Sequence, residues 1–311
     1  MHTNAETTQS APRALIAGWF SWSDCNATAG DVMACDVLSR WLNEAGLEHD
    51  IARAAPIEPA LDWETLDPAR YTHLVFVCGP FNDNAYARDI LKAFAHCKTI
   101  GVNLSMIERL EDYNPFDLLF ERDSDHTNRP DLVFAAERDD VPVAGLMLVH
   151  PQKEYGNRGR HDAAHQLIKR VLAKRGVACV PIDTCLVNNA GGFNTPAQIN
   201  ATIGRMDLVV TTRMHGLVMA LRNGVPTVAI DAISGGAKVL AQANAVRWPI
   251  VATIDQLTDS WLNESLDKCL QPSIKQDIEQ SQRIAEDKLK ALQEEIVAEV
   301  RASLPTRVSA R

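Results

Sequence analysis

At 311 residues the chain exceeds the usual size of one α/β domain, and this length predicts two domains that share a cleft. A composition of 46% hydrophobic and 23% charged residues excludes a disordered or fibrous protein. The net charge of −9 argues against nucleic acid as a partner, because phosphate contacts require a basic face, but it allows a small anionic substrate at a locally basic site.

The seven cysteines are scattered without a C-x-x-C pair, as is typical of a reducing cytoplasm, and we expect them to be structural thiols. The acidic residues and histidines lack the spacing of metal ligands, so we expect neither a metal nor a cofactor. The apolar run Ala14–Phe20 is too short for a signal-peptide core, and no stretch approaches the ~20 apolar residues of a membrane helix. We therefore expect a cytoplasmic protein without a transmembrane segment, for which peripheral membrane contact stays open.

The first half alternates short apolar runs with helical patterns, which predicts a mostly parallel sheet covered by helices on both faces. In chain order the predicted elements are a strand at Ala14–Phe20, a helix through Met33–Leu42 that ends at Gly46, a strand at His73–Cys78, an amphipathic stretch at Ala87–His96 and a strand at Thr99–Leu104.

The pattern restarts with an apolar strand at Val143–Val149, which we take as the domain boundary. The predicted domains are 13–142 and 143–270, both Rossmann-like lobes, followed by a C-terminal helix and tail at 271–311. The elements predicted after the restart are helices at 162–174, from Pro196 and at 215–222, strands at 178–182, 207–212 and 226–230, and a long helix at 273–304. We expect the long helix to be solvated and to pack through Ile284, Leu289, Leu292 and Ile296.

The most informative stretch is Met206–Asp231, whose strand ends at Thr212. Arg213 and His215 then fall on the turn into a helix, at the carboxyl edge of a parallel sheet where ligand sites form. The surrounding segment 205–247 has five basic and two acidic residues in a chain that is acidic overall, which favours an anion. The alternative is that His215 bonds its own backbone and that Arg213 is an ordinary ion-pair partner.

A second feature of this half is the pair Gly235-Gly236, which precedes a helix. A loop with bare backbone can approach a phosphate closely, and Lys238 on the first helical turn could reach the same group. A Gly-Gly pair is weak evidence without further support.

The run Asp-x-Val-Val-Thr-Thr-Arg-Met-His-Gly-Leu at 207–217, with the Gly-Val-Pro and Lys238 that follow, resembles the C-terminal signature of the polysaccharide pyruvyl transferase family. Gly30-Asp31 is similar to the family's Asn-x-Gly-Asp feature, with the spacing from Asn26 stretched. The segment Glu121–Ser124 with Pro130-Asp131 resembles its Arg-Asp-x-x-Ser and later Asp pattern, with a shifted serine. The resemblance covers roughly residues 14 to 270.

This resemblance implies two Rossmann-like lobes like those of GT-B glycosyltransferases, and transfer of a pyruvyl group from phosphoenolpyruvate to a sugar hydroxyl as a ketal. It also implies an active-site set of Arg122, Arg213, His215 and Lys238. The donor has a phosphate and a carboxylate, so Arg122 from the first lobe and Arg213 from the second are expected to hold it. His215 is the hypothesised proton donor to the methylene carbon, and Lys238 is expected to assist the leaving phosphate.

For other polar features of the sequence, a functional and a structural interpretation both stay open. Asp31 either touches a ligand, as do Gly30, Gly235 and Gly236 in the family-based prediction, or caps its helix. The loop His150–His161 either binds the acceptor or is a mobile surface loop. For the whole chain, the alternatives are a GT-B-like glycosyltransferase that uses a nucleotide-sugar, and a catalytically silent sugar-binding protein of the same fold.

Overall fold

The structure of the protein is a computed structural model that describes residues 12–138, 140–149 and 153–303. His150, at the start of the loop predicted to bind the acceptor, and the predicted tail from residue 304 lie outside the described residues. The chain divides into two compact units, Met1–Arg138 and Asp139–Arg311, and each is described by itself.

Unit 1 is built on five parallel strands in the order β2-β1-β3-β5-β7, beside a pair formed by β4 and β6. Its elements are β1 (Arg13–Ala17), α1 (Ala29–Glu44), β2 (Glu48–Ile51), β3 (His73–Val77), β4 (Pro80–Phe81), α2 (Ala85–Ala93), β5 (Lys98–Val102), β6 (Ser105–Met106) and β7 (Leu118–Phe120). Side chains of β1 and β3 enter two separate apolar clusters, one on each face of the sheet. This is the arrangement that continuous apolar strands predict.

Unit 2 repeats the architecture with five parallel strands in the order β12-β11-β10-β8-β9. Its elements are β8 (Val143–Met147), α3 (His161–Leu172), β9 (Ala178–Pro181), α4 (Pro196–Ile203), β10 (Leu208–Thr211), α5 (Met214–Arg222), β11 (Thr227–Asp231), α6 (Lys238–Ala245), β12 (Val251–Thr253), α7 (Asp259–Cys269) and α8 (Ile274–Ala302). The predicted fold class, two Rossmann-like lobes with parallel sheets and a long C-terminal helix, is confirmed.

The predicted packing of the long helix was wrong for three of the four residues named, whereas the fourth, Ile284, is half-buried. Leu289, Leu292 and Ile296 are 62%, 46% and 52% exposed, whereas Ile274 and Ile278 in the first turns belong to the core of unit 2. The first half of α8 therefore anchors the helix to unit 2, where Gln282 also donates to the Leu221 carbonyl and Lys288 to the Ala245 carbonyl, each at 2.7 Å. In the described portions of the chain no helix combines the length and apolar character needed to cross a membrane.

Candidate active site

The carboxyl ends of β8 and β10 form the point where the strand order of unit 2 reverses. From β8 the chain goes to β9 on one side of the sheet and then to β10 on the other. Two connections therefore leave in opposite directions and open a crevice, which is where open α/β sheets bind ligands. Arg213 and His215 follow β10 directly, so the sequence placed them at this crevice correctly.

The turn from β10 into α5 is held by Thr211, which is fully buried. Its hydroxyl accepts a hydrogen bond from the Arg213 N–H at 2.9 Å and lies 2.9 Å from the carbonyl oxygen of Met147 on β8. A Cβ on Gly216 would overlap the Thr211 hydroxyl and lie 3.1 Å from the Thr211 Cβ. The glycine of the signature therefore lets α5 approach the strand, and this close approach fixes the direction of Arg213 and His215.

Arg213 presents a half-buried guanidinium without a carboxylate partner among the described residues. Its Nη1 lies 3.9 Å from the Cys185 sulfur, in the loop that follows β9. Asp183 in the same loop accepts the backbone N–H of Cys185, which is the main reason that its pKa is lowered, and the positive charge of Arg213 adds to the effect. The ordinary ion-pair alternative for Arg213 is thus not observed.

His215 is exposed on the first turn of α5. In the part of the chain that the structure describes, its ring forms no hydrogen bond with its own backbone, so the helix-start alternative is not observed either. The imidazole is therefore open to solvent at the start of α5.

Lys238 begins α6, at the end of β11, the strand that pairs with β10. Its ammonium lies 5.8 Å from the centre of the Tyr155 ring, and the Arg158 guanidinium carbon lies 5.9 Å from the same centre. Tyr155 and Arg158 belong to the loop after β8 that the sequence marked for the acceptor. The structure thus brings this loop and Lys238 together, with two cations against one aromatic ring.

Backbone hydrogen bonds fasten the loop after β8 to the loop after β11. The Ser234 N–H donates to the Arg158 carbonyl at 2.9 Å, and the Arg160 N–H donates to the Ala232 carbonyl at 2.8 Å. Gly159 and Ile233 form an antiparallel bridge between them. The described portion of the His150–His161 loop is therefore tied to the sheet edge rather than free of it.

The structure gives the Gly235-Gly236 amides partners within the protein, in contrast to the predicted phosphate site. The Gly235 N–H donates to Asp255 at 2.7 Å, and the Gly236 N–H donates to the Ile233 carbonyl at 2.8 Å. Both glycines have positive φ, 77° and 78°, which explains their occurrence here by turn geometry alone. In this conformation neither N–H is available to a ligand, and the direct binding role predicted for these two residues has no geometric support.

Asp231, which sequence reasoning did not select, organises the loop after β11. Its carboxylate is 1% exposed and accepts N–H groups from Ile233, Ala237 and Leu240 at 3.2, 2.7 and 2.9 Å. A buried carboxylate at the start of a helix satisfies donors that have no helical partner. Asp231 therefore fixes where α6 begins, and with it the position of Lys238.

On α3, His165 was missed by sequence reasoning, and His161 was included only as the last residue of the His150–His161 loop. His165 Nε2 lies 3.4 Å from the hydroxyl of Thr212, which accepts the Val149 N–H across the β8–β10 crevice. His161 is 4% exposed; burial lowers its pKa, and the charge of Lys238 lowers it further. A histidine within an amphipathic helix gives no sequence signal of its proximity to a site, so His165 could not have been selected from the pattern.

In unit 1, Arg122 follows β7 and is held by acidic neighbours. Its Nε and Nη1 donate to Asp123 and Asp131 at 2.8 and 2.7 Å, and its Nη2 donates to Ser105. The hydrogen bond from Arg122 is the main cause of the lowered pKa of Asp123. The charge of Arg122 is therefore largely offset inside unit 1, and its expected role in donor binding stays a prediction.

Gly30 and Asp31 lie in the first turn of α1. The helix therefore begins earlier than the apolar pattern from Met33 predicts. Asp31 completes a capping box with Thr28, accepting the Thr28 N–H at 2.8 Å. The capping alternative for Asp31 is thus observed.

Asp31 also lies in one electrostatic neighbourhood with Arg122. Burial is the main reason that the pKa of Cys78 is raised to about 11, Asp31 and Asp131 raise it further, and Arg122 lowers it. Asp31, Asp131 and Arg122 therefore all contribute to the electrostatic environment of Cys78, which follows β3.

The sequence model of the polysaccharide pyruvyl transferase family matches residues 29–232. This match begins at α1, includes Gly30, Asp31, Arg122, Arg213 and His215, and ends just after β11. The chain belongs to the polysaccharide pyruvyl transferase family. Lys238 and the Gly235-Gly236 pair lie just beyond the matched range of this pyruvyl transferase family member.

Curated proteins give no match to the chain. Among solved structures, the calicheamicin glycosyltransferase CalG4 is 12% identical, over 96% of this chain and 100% of its own, with a TM-score of 0.35. An O-GlcNAc transferase mutant from Thermobaculum terrenum is 13% identical, over 89% of this chain and 64% of its own, with a TM-score of 0.34. The UDP-GlcNAc 2-epimerase of Methanocaldococcus jannaschii is 8% identical, over 83% and 92%, with a TM-score of 0.30.

Proposed function

We propose that this family member transfers the pyruvyl group of phosphoenolpyruvate to a sugar of a surface polysaccharide or its precursor, forming a ketal and releasing phosphate. The feature that supports this proposal best is the position of two residues at the switch point of unit 2: Arg213, whose guanidinium has no ion pair among the described residues, and the exposed His215 two positions later. An anion held there would lie beside a group able to transfer a proton.

Donor binding is assigned to the cations at this sheet edge. Arg213 can form two parallel hydrogen bonds with a carboxylate or phosphate, since no acidic side chain among the described residues occupies its guanidinium. Lys238 is the first residue of α6, in the connection that follows the neighbouring strand β11. Its ammonium group is a point charge suited to the departing phosphate. Asp231 acts on this step indirectly, by fixing the start of α6.

The proton balance assigns a step to His215. The imidazolium gives its proton to the methylene carbon, which becomes a methyl group, while one sugar hydroxyl adds to the adjacent carbon. A second hydroxyl of the same sugar then displaces phosphate from that carbon. Of the two hydroxyl protons, one replaces the proton lost by His215 and the other leaves with phosphate, so the reaction requires no oxidant.

The same reaction needs no cofactor in this proposal, because the donor itself has the reactive group. In the described residues no three histidine, cysteine or acidic side chains are grouped to hold a metal. All seven cysteines are free thiols, two of them exposed, which suits the cytoplasmic location that we propose.

The test is phosphate release from phosphoenolpyruvate with a panel of lipid-linked and nucleotide-linked sugars. We expect His215→Ala to lower kcat by about 10²- to 10⁴-fold, and Arg213→Ala to raise the KM for phosphoenolpyruvate by about tenfold or more. Arg205→Ala is the matched control, since Arg205 is exposed and precedes β10 at the opposite edge of the sheet. Near-normal turnover of His215→Ala contradicts the proton-transfer role, and glycosyl transfer from a nucleotide-sugar, or sugar binding without turnover, contradicts the proposed reaction.

A further inference from the structure

The connections after β1 and β3 bring aromatic side chains together at one edge of unit 1. Strand β1 lies between β2 and β3, so the connection from β1 to β2 and the connection that follows β3 leave in opposite directions. The carboxyl ends of β1 and β3 are therefore the switch point of unit 1, where open α/β sheets bind ligands. Trp22 belongs to the first connection, and Tyr86 lies on the first turn of α2 in the second.

Trp22 is surrounded by aromatic rings without being enclosed by them. Its ring centre lies 5.6, 6.0, 6.0 and 6.3 Å from the ring centres of Tyr86, Trp19, Trp63 and Phe76, respectively. Trp63 and Phe76 are buried in the core of unit 1, whereas Trp22 is half-buried and Tyr86 is 37% exposed. The planes of Trp22 and Tyr86 meet at 62°. These two rings, here called the aromatic corner, thus form an angle with a rigid base.

Polar groups beside the aromatic corner keep unused hydrogen-bonding capacity. The Tyr86 hydroxyl donates to the Asp24 carboxylate, and within the described residues this is the only hydrogen bond or ion pair of that exposed carboxylate. The indole N–H of Trp22 has no acceptor in the part of the chain that the structure describes. Asp24 can therefore accept further hydrogen bonds, and Trp22 can donate one.

A sugar ring matches this combination of groups. The C–H groups of a pyranose have a partial positive charge, which suits the negative face of an aromatic ring, and hydroxyl groups surround them. Those hydroxyls can donate to Asp24 and accept from the Trp22 N–H. Apolar walls with a few directed polar groups are typical of small-molecule sites.

We propose that Trp22, Tyr86 and Asp24 form a subsite in unit 1 for a neutral sugar ring of the acceptor. The two aromatic rings contact the C–H groups of the sugar, and Asp24 accepts hydrogen bonds from its hydroxyls. That this sugar belongs to the acceptor rests on the function proposed above, whereas the binding of a sugar at the aromatic corner does not.

The charge around the aromatic corner disfavours an anion such as phosphoenolpyruvate or a nucleotide. The segments 18–31 and 79–88 together contain three acidic residues and one basic residue. The basic residue, Arg88, is in an ion pair with Asp83 at 2.7 Å. A nucleobase could stack on the same rings, but these two segments offer no unpaired cation for its phosphates. A neutral sugar needs none.

The test is direct binding of neutral methyl glycosides of hexoses and N-acetylhexosamines to the purified full-length chain, measured by saturation-transfer NMR without phosphoenolpyruvate. We expect at least one glycoside to bind, and Trp22→Leu and Tyr86→Ala each to raise its dissociation constant by about tenfold or more. Tyr86→Phe keeps the ring and should retain most of the affinity. Trp41→Leu is the matched control, because Trp41 is a 43% exposed tryptophan of α1 without a ring contact to the aromatic corner among the described residues.

Three results of the binding experiment overturn the proposal. They are the absence of binding by every glycoside, a dissociation constant that Tyr86→Ala leaves unchanged, and an equal loss of affinity in Trp41→Leu. Uridine monophosphate is the probe for the other occupant: binding of it that Tyr86→Ala weakens, without binding of any glycoside, identifies a nucleotide subsite. Because Tyr86 is exposed, its variants provide the test even if Trp22→Leu fails to fold.

Turnover separates this inference from the proposed function. In the phosphate-release assay, Tyr86→Ala should raise the KM for the acceptor and leave the KM for phosphoenolpyruvate unchanged. Glycoside binding that depends on Tyr86, without any phosphate release, supports the subsite and contradicts the proposed reaction. Phosphate release with an acceptor KM that Tyr86→Ala does not change supports the reaction and contradicts the subsite.

Discussion

Gly216 shows how one residue without a side chain sets the geometry of the proposed active site. The buried Thr211 hydroxyl occupies the space that a side chain at position 216 would need, and the same hydroxyl accepts the Arg213 N–H. The helix can therefore begin close against β10. Because Arg213 and His215 lie immediately before this contact, their directions depend on it.

We expect Gly216→Ala to destabilise the protein by about 1–3 kcal/mol, since the added methyl group forces strand and helix apart in a buried region. Urea unfolding followed by circular dichroism measures the loss. Gly176→Ala is the control, because a Cβ there meets nothing within 4 Å and the backbone φ is not positive. Equal stability of the two variants would show that α5 does not need the close approach.

The contribution of Arg122 to the stability of the folded state can be identified by its dependence on pH. The pKa of Asp123 is lowered from 3.8, chiefly by its hydrogen bond from Arg122, so the ionised pair stabilises the folded state above about pH 4. This contribution is lost as the pH falls through the lower, folded-state pKa of Asp123. Both side chains are partly exposed, which limits the energy.

We expect Arg122→Met to lower the free energy of unfolding by about 1 kcal/mol at pH 7, and by progressively less as the pH falls below about 4 and through the lowered pKa of Asp123. Urea titrations across this range measure the change. Arg88→Met is the control, since Arg88 pairs with Asp83 on the surface of the same unit and should contribute little at any pH. A loss for Arg122→Met that is independent of pH would contradict an electrostatic role.

At the scale of elements, two carboxylates hold the loop between β11 and α6, and they contribute to different degrees. Asp231 is buried and accepts three backbone N–H groups, whereas Asp255 is exposed and accepts the Ser234 hydroxyl and the Gly235 N–H. Asp231 sets where the helix starts, and Asp255 holds the glycine turn from outside. The position of Lys238 follows from both.

We expect Asp231→Ala to cost about 2–4 kcal/mol, because it leaves one buried and two partly buried N–H donors without their charged acceptor. The exposed Asp255→Ala should cost about 1 kcal/mol or less. Thermal and urea unfolding of both variants provide the comparison. If the order were reversed, the turn rather than the buried carboxylate would organise this loop.

For the whole molecule, the strands that sequence predicted are those whose side chains are apolar on both faces, such as β3 and β10. β2 and β7 escaped prediction because they are short and largely uncovered, so neither shows a buried pattern. The apolar positions Leu289, Leu292 and Ile296 of α8 misled the packing prediction, since apolar periodicity indicates a face to be covered without indicating by what. The location of Arg213 and His215 after β10 could be predicted because the sequence shows where the apolar run of a buried strand ends. The contact of Tyr155 with Lys238 joins residues 83 positions apart and could not be predicted.

The loops that follow β8, β9, β10 and β11 at the carboxyl edge of unit 2 begin at separate strands. This separation affects how the sequence can vary among relatives. Arg213 and His215 share one helical turn that Gly216 restrains, whereas Tyr155 and Arg158 arrive on a different connection. In the proposed reaction, insertions or exchanges in the connection after β8 would alter which sugar is admitted while leaving His215 undisturbed. Relatives that modify different glycans would then differ most in the segment after β8 and least between β10 and α5.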